Sequence, residues 1–281
     1  MSYSTSGRRS LICVLLFAWA ANFATNGHSQ MPPVDSQPLS LQQILAIAES
    51  QDNFAAVAQI ERQGEPLEVA KLYYQAMRSL YYQQRDLPRM IFVSQAGIRY
   101  CLAQADQVQV SATVDPAQRE AAQATAEKLR GFAKGLAYDL GANAWPGWQE
   151  PGIEITRSDL LAGLDAARLN LRLARELSRD HDALGNARWL LGAQLLANAK
   201  ANAAIVEFNQ AATEFKSASK PDYEQMAHGY AAIAKRSASP NDADVAREEL
   251  QQAISALKKS GTEDAKFFAE QLHSVAEYFA K

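Results

Sequence analysis

Regularly spaced small and large side chains between residues 189 and 211 constrain the fold of this chain most. The segment reads WLLGAQLLANAKANAAIVEFNQA, with Gly192 in its first half and Ala204, Phe208 and Ala211 in its second half. Helices pack about 8–10 Å apart only where small side chains let their backbones approach, while large side chains fill the groove beside that point. The segment therefore predicts two antiparallel helices in close contact.

The same order of small and large residues recurs in three other places. The small-large-small positions of the second helices are Ala246, Leu250 and Ala253; Ala167, Leu171 and Ala174; and, more loosely, Ser94, Ile98 and Cys101. The pattern resembles the tetratricopeptide repeat over roughly residues 66–260, although Arg188 stands where that family usually has tryptophan, one place before Trp189. The resemblance implies an all-α fold, a right-handed superhelical stack of antiparallel helix hairpins.

Composition and capping signals also favour helices. Val, Ile and Thr are sparse, and their branched side chains lose rotamer freedom in a helix. Thr156 with Asp159 has the spacing of a capping box, and Gly141 is interpreted as the end of the preceding helix. We expect a helical lead-in at residues 39–65, helical repeats at 66–262, and a C-terminal capping helix within 263–281.

The N-terminal residues predict export. Residues 1–24 have a basic start at Arg8 and Arg9, a short apolar run and then small residues, which is typical of a signal peptide cleaved after Ala20 or Ala24. Polar, proline-containing residues 25–38 follow as a flexible linker. We expect a periplasmic or extracellular protein without a stable membrane span after cleavage; the alternative is anchoring by an uncleaved N-terminal segment.

One predicted hairpin carries an insert at about residues 141–158, where the repeat pattern expects a short turn. Trp145 and Trp148 flank Pro146 and Gly147 in this insert. A loop with two tryptophans is either a lid folded onto the helices or a projecting element that contacts a partner. The residues alone leave both possibilities open.

The resemblance implies a function in protein-protein interaction. Repeats of this kind bind an extended peptide or a helix on the face lined by their first helices, and the positions that match that face are apolar with a polar edge. The expected partner-binding residues are Asn186, Trp189, Ala193, Leu196, Glu224 and His228, together with Trp145 and Trp148 from the insert. Alternatively, Trp189 and Leu196 pack on a neighbouring helix, or a small apolar ligand binds in the concavity under the insert.

Charge and motifs argue against other classes of function. The formal net charge is -3, and basic residues alternate with acidic ones, so a nucleic-acid partner is not expected. The sequence contains no HExxH, CxxC or GxSxG string and no Gly-rich phosphate loop. We therefore predict no catalytic residues, no metal site and no cofactor, and we expect a non-enzymatic scaffold.

Overall fold

The computed structural model describes residues 39–50, 52–111, 116–239, 241 and 243–280. The predicted signal peptide and linker, residues 1–38, lie outside this range. The described residues form eleven α-helices and one short 3-10 helix, Pro146–Trp148, and contain no strand. The α-helices are α1 (Leu41–Glu49), α2 (Asn53–Glu61), α3 (Pro66–Tyr82), α4 (Leu87–Ser111), α5 (Pro116–Asn143), α6 (Arg157–Glu176), α7 (His181–Ala197), α8 (Ala201–Ser217), α9 (Pro221–Ala238), α10 (Ala243–Ser260) and α11 (Glu263–Tyr278).

Short polar side chains fix where several helices begin. Thr156 accepts a hydrogen bond from the backbone N–H of Asp159, and the Asp159 carboxylate accepts one from the backbone N–H of Thr156. This confirms the capping box predicted at the start of α6, and Ser40 forms the same arrangement with Gln43 at α1. Such caps satisfy backbone donors that the first turn of a helix leaves without partners.

Consecutive helices pack against each other throughout the described residues, which confirms an all-α stack of helices. α3 pairs with α4, α5 with α6, α7 with α8, and α9 with α10, while α11 packs on both α9 and α10. The odd-numbered helices α3, α5, α7, α9 and α11 also contact one another in series. They form one side of the stack, which we call the odd-helix face.

The small residues picked out in the sequence lie where paired helices meet. Ala204, Phe208 and Ala211 are all buried in the α7–α8 hairpin. A Cβ atom built on Gly192 would lie 2.8 Å from Cδ1 of the Phe208 ring, so only glycine fits there. The corresponding residues of the other hairpins are also buried: Ala246, Leu250, Ala253, Ala167, Leu171, Ala174, Ser94, Ile98 and Cys101.

Two helix ends differ from the expectation. α5 continues through Gly141 to Asn143, because this glycine permits a close approach and does not end the helix. A Cβ atom at Gly141 would lie 3.1 Å from Leu190 of α7 and 3.3 Å from the carbonyl oxygen of Gly163 in α6. The sequence predicts the end of α4 near Gln104 and an extended connector at residues 108–114, but the helix continues to Ser111, so residues 108–111 are helical. Residues 112–115 lie outside the described residues.

The stack has two adjoining apolar clusters, and α6 contributes to both. Ala166 and Leu173 belong to the cluster formed mainly by α1 to α5, whereas Leu164 and Leu171 belong to the cluster that continues to α11. Cys101 lies in the first cluster, where burial raises the pKa of its thiol to about 12. At neutral pH this cysteine is therefore a protonated core side chain.

Alanine substitutions at two helical glycines should change stability in opposite directions. Gly192→Ala should lose about 1–2 kcal/mol of unfolding free energy, because overpacking against Phe208 outweighs the helix-propensity gain. At Gly135 the added Cβ atom would lie an ordinary 3.5 Å from Tyr74, so Gly135→Ala should gain up to about 1 kcal/mol. Urea denaturation measures both, and a more stable Gly192→Ala protein would contradict the proposed close approach.

Candidate interaction surface

The insert between α5 and α6 folds back onto the odd-helix face. The ring of Trp145 lies against the rings of Trp189 in α7, Tyr230 in α9 and Phe279 just after α11, with centroids 5.9–6.5 Å apart. Its Nε1 donates a hydrogen bond to the backbone oxygen of Ala193 at 3.1 Å. Trp145 is only 1% exposed and is thus a core side chain supplied by a loop.

The turn of the insert brings the second tryptophan beside the first. Trp148 packs edge-on against Trp145 at 4.9 Å between centroids, and its Nε1 donates to the backbone oxygen of Ala142 at 2.7 Å. Gly147 is packed directly against the Trp145 ring, which leaves no room for a side chain there. Of the two possibilities left open by the sequence, the structure therefore has the lid.

The apolar residues of the expected groove lie beneath or beside this lid. Trp189 and Leu196 are each 4% exposed and Ala193 is fully buried. Trp189 also packs on Tyr230, at 5.5 Å between centroids, so the alternative of packing on a neighbouring helix is correct for this residue. The insert packs on Trp189 and Ala193, so a partner reaches these two residues only if the insert moves.

The polar residues of the expected groove are more accessible. Asn186 is partly exposed, and its side-chain amide donates to the backbone oxygen of Asp182 at 2.9 Å, one turn earlier in α7. His228 is exposed and pairs with Glu224 within α9, at 3.9 Å between Nε2 and Oε1. Partner contact by Asn186, Glu224 and His228 stays a prediction.

A different part of the odd-helix face is partly open, and the sequence analysis did not select it. We call it the tyrosine–aspartate surface; it consists of Tyr74, Arg78 and Tyr82 on α3 and Tyr138 and Asp139 on α5. The three α3 residues are spaced one turn apart and share one side of that helix. Tyr82 is 41% exposed, and the guanidinium carbon of Arg78 lies 5.2 Å from the centre of its ring.

Asp139 is the polar centre of the tyrosine–aspartate surface. The Tyr74 hydroxyl lies beside this carboxylate, and its atom Oδ2 is buried without a hydrogen-bond partner. Burial raises the pKa of Asp139; the Tyr74 hydrogen bond and the charges of Arg78 and Lys134 lower it by less. Asp139 therefore holds a buried acceptor that no described group satisfies.

Other buried polar atoms lie near the lid. Trp189 Nε1 and the Tyr230 hydroxyl are both buried without hydrogen-bond partners. Burial raises the pKa of the Tyr230 hydroxyl far above its usual range, so it remains a neutral donor. Within the described ranges, no group of His, Cys, Asp and Glu is placed to hold a metal ion, and no helix is long and apolar enough to cross a membrane.

No protein-family model matches the chain, and no curated protein matches it at a significant level. The assignment of a function therefore depends on the geometry of the odd-helix face.

Trp145→Ala should cost about 3–5 kcal/mol of unfolding free energy, the usual range for truncating a fully buried tryptophan. The substitution removes the ring contacts to α7, α9 and α11 at once. Chemical denaturation followed by circular dichroism measures the change. Leu161→Ala, at a half-exposed position on α6, is the control and should stay within about 0.5 kcal/mol of the wild type.

Asp139→Asn should stabilise the protein at neutral pH. The folded-state pKa of Asp139 is raised, so the folded state binds the carboxyl proton more tightly than the unfolded state does. The stability that this proton adds is present at low pH and is lost as pH rises through the folded-state pKa. The substitution removes the cost of a buried charge above that pKa and gains nothing below the ordinary aspartate pKa of about 3.9. Thermal denaturation between neutral pH and about pH 3.9 tests this prediction, with Asp165→Asn at an exposed aspartate as the control. An equal gain in stability at neutral and at acidic pH would contradict the raised pKa.

Proposed function

We propose that this protein is an exported, non-enzymatic interaction scaffold of the tetratricopeptide type that binds a peptide or helix of a partner on its odd-helix face. The helical stack and the burial of the small-large-small residues support the family assignment. The basic and apolar residues of positions 1–24 support export to the periplasm or the cell exterior. The alternative of a membrane anchor formed by that segment belongs to the same proposal.

The observation that carries this proposal is the partly open tyrosine–aspartate surface. Tyrosine and arginine are enriched among the residues that dominate binding energy at protein interfaces, because they combine large apolar area with hydrogen-bonding groups. The insert covers Trp189 and Ala193, and Leu196 is buried, so we place the binding site on the polar, aromatic part of the face. We expect the partner segment to stack on Tyr82 and to contact Arg78 beside it.

A second candidate function is binding of a small, largely apolar ligand under the insert. The observation in its favour is that Trp189 Nε1 and the Tyr230 hydroxyl are buried there without hydrogen-bond partners. A ligand with one acceptor atom would satisfy either group, but it must displace the Trp145 ring from its present position. Thermal-shift measurements with apolar small molecules discriminate this function from peptide binding.

Tyr82→Ala and Arg78→Ala should each weaken partner binding by about tenfold or more, which corresponds to about 1.4 kcal/mol. Tyr82 supplies the exposed ring of the tyrosine–aspartate surface, and Arg78 supports it from one face. Partners are first isolated by affinity purification with quantitative mass spectrometry from envelope and culture-medium fractions. The affinity of each purified partner is then measured for wild type and variants.

Val206→Ala is the matched control, because Val206 is 52% exposed on α8, which is not part of the odd-helix face. Circular dichroism checks that all variants are folded. The proposed site is wrong if the partner binds the two α3 variants as tightly as it binds Val206→Ala. The proposed function itself is wrong if no protein is enriched over an unrelated bait.

A further inference from the structure

Two successive residues of the insert connect the two ends of the repeat stack. The side-chain amide of Gln149 donates to the hydroxyl of Ser274 in α11 at 3.0 Å. Next to it, the Glu150 carboxylate accepts a hydrogen bond from Arg85, in the turn between α3 and α4. Arg85 also donates to the backbone oxygen of Pro151 at 3.1 Å. The insert thus joins the first hairpin of the stack to its last helix.

The end of α3 sets the backbone position of Arg85. Arg85 has a left-handed backbone, with φ of 57°, just after the end of α3. The backbone N–H of the next residue, Asp86, donates to the carbonyl oxygen of Leu80 at 2.9 Å, which closes the end of the helix. A non-glycine residue keeps this conformation only where the surroundings hold it. Arg85 is therefore a fixed point of attachment.

The middle of the insert is held by the helices between these ends. Trp145 contacts α7 and α9 through Trp189 and Tyr230, and the insert itself begins at the end of α5. The contacts at Arg85 and Ser274 complete the set, so the insert is attached to the end of α3 and to α5, α7, α9 and α11.

We propose that the insert is a strap that couples the α3–α4 hairpin to α11. In a simple helical repeat each unit contacts only its neighbours, so the two ends respond to each other weakly and the stack bends easily. The strap adds contacts between helices that are not neighbours. A change at Arg85 is therefore transmitted through the insert to α11, although Arg85 and α11 belong to opposite ends of the stack.

Hydrogen exchange in a double-mutant cycle tests the strap. Arg85→Ala should increase amide exchange in α11, and Gln149→Ala should do the same because it removes the contact with Ser274. Adding Arg85→Ala to Gln149→Ala should give no further increase in α11, since the connection is already broken. The full-length protein is used throughout, and exchange in α8, which the strap does not contact through these residues, should stay unchanged.

Arg247→Ala is the matched control, because Arg247 forms an exposed ion pair with Asp244 inside α10 and takes no part in the strap. It should leave exchange in α11 as in the wild type. Three results would overturn the proposal: no change in α11 on Arg85→Ala, effects of the two substitutions that simply add, or an increase in α8 equal to that in α11. The last result would show general destabilisation and no coupling.

Discussion

The close approach of paired helices at small residues is the constraint on which the rest of the structure depends. Where Gly192 meets Phe208, a single added carbon atom would not fit, and buried alanines play the same part in the other hairpins. Small residues at these points let each helix contact its partner and also its next-but-one neighbour. The odd-helix face exists because α3, α5, α7, α9 and α11 come together in this way.

The insert of the chain itself buries the apolar part of the odd-helix face. Trp145 is buried among rings from α7, α9 and the end of α11, so the insert replaces the water or partner that an open groove would hold. This covering changes the chemistry that remains for recognition. What is left open is a set of tyrosines with Arg78 and Asp139, which suits a polar aromatic contact better than a purely apolar segment.

Sequence reasoning succeeds here where the determinants are local. The capping box at Thr156 and the small residues of α8 follow from spacing alone, and both are as expected. Contacts between distant parts of the chain leave no such local signal. The contact of Trp145 with Phe279 is one of them, so the covered groove does not follow from the sequence. Gly141 was interpreted as a helix end because its close packing against Leu190 depends on another helix. Asp139 was missed because only the fold brings Tyr74 beside it.

The strap and the tyrosine–aspartate surface share one segment, the C-terminal part of α5. Tyr138 and Asp139 lie less than two turns before the end of that helix at Asn143, and Trp145 follows immediately. Tyr138 packs against the same apolar cluster that holds Trp145, whereas Tyr74 packs against the other cluster. The surface therefore bridges two clusters, and the strap fixes the position of one of its two sides. A preformed surface loses less conformational entropy on binding, so under the proposed function holding α5 in place would favour affinity for a partner that the strap does not touch.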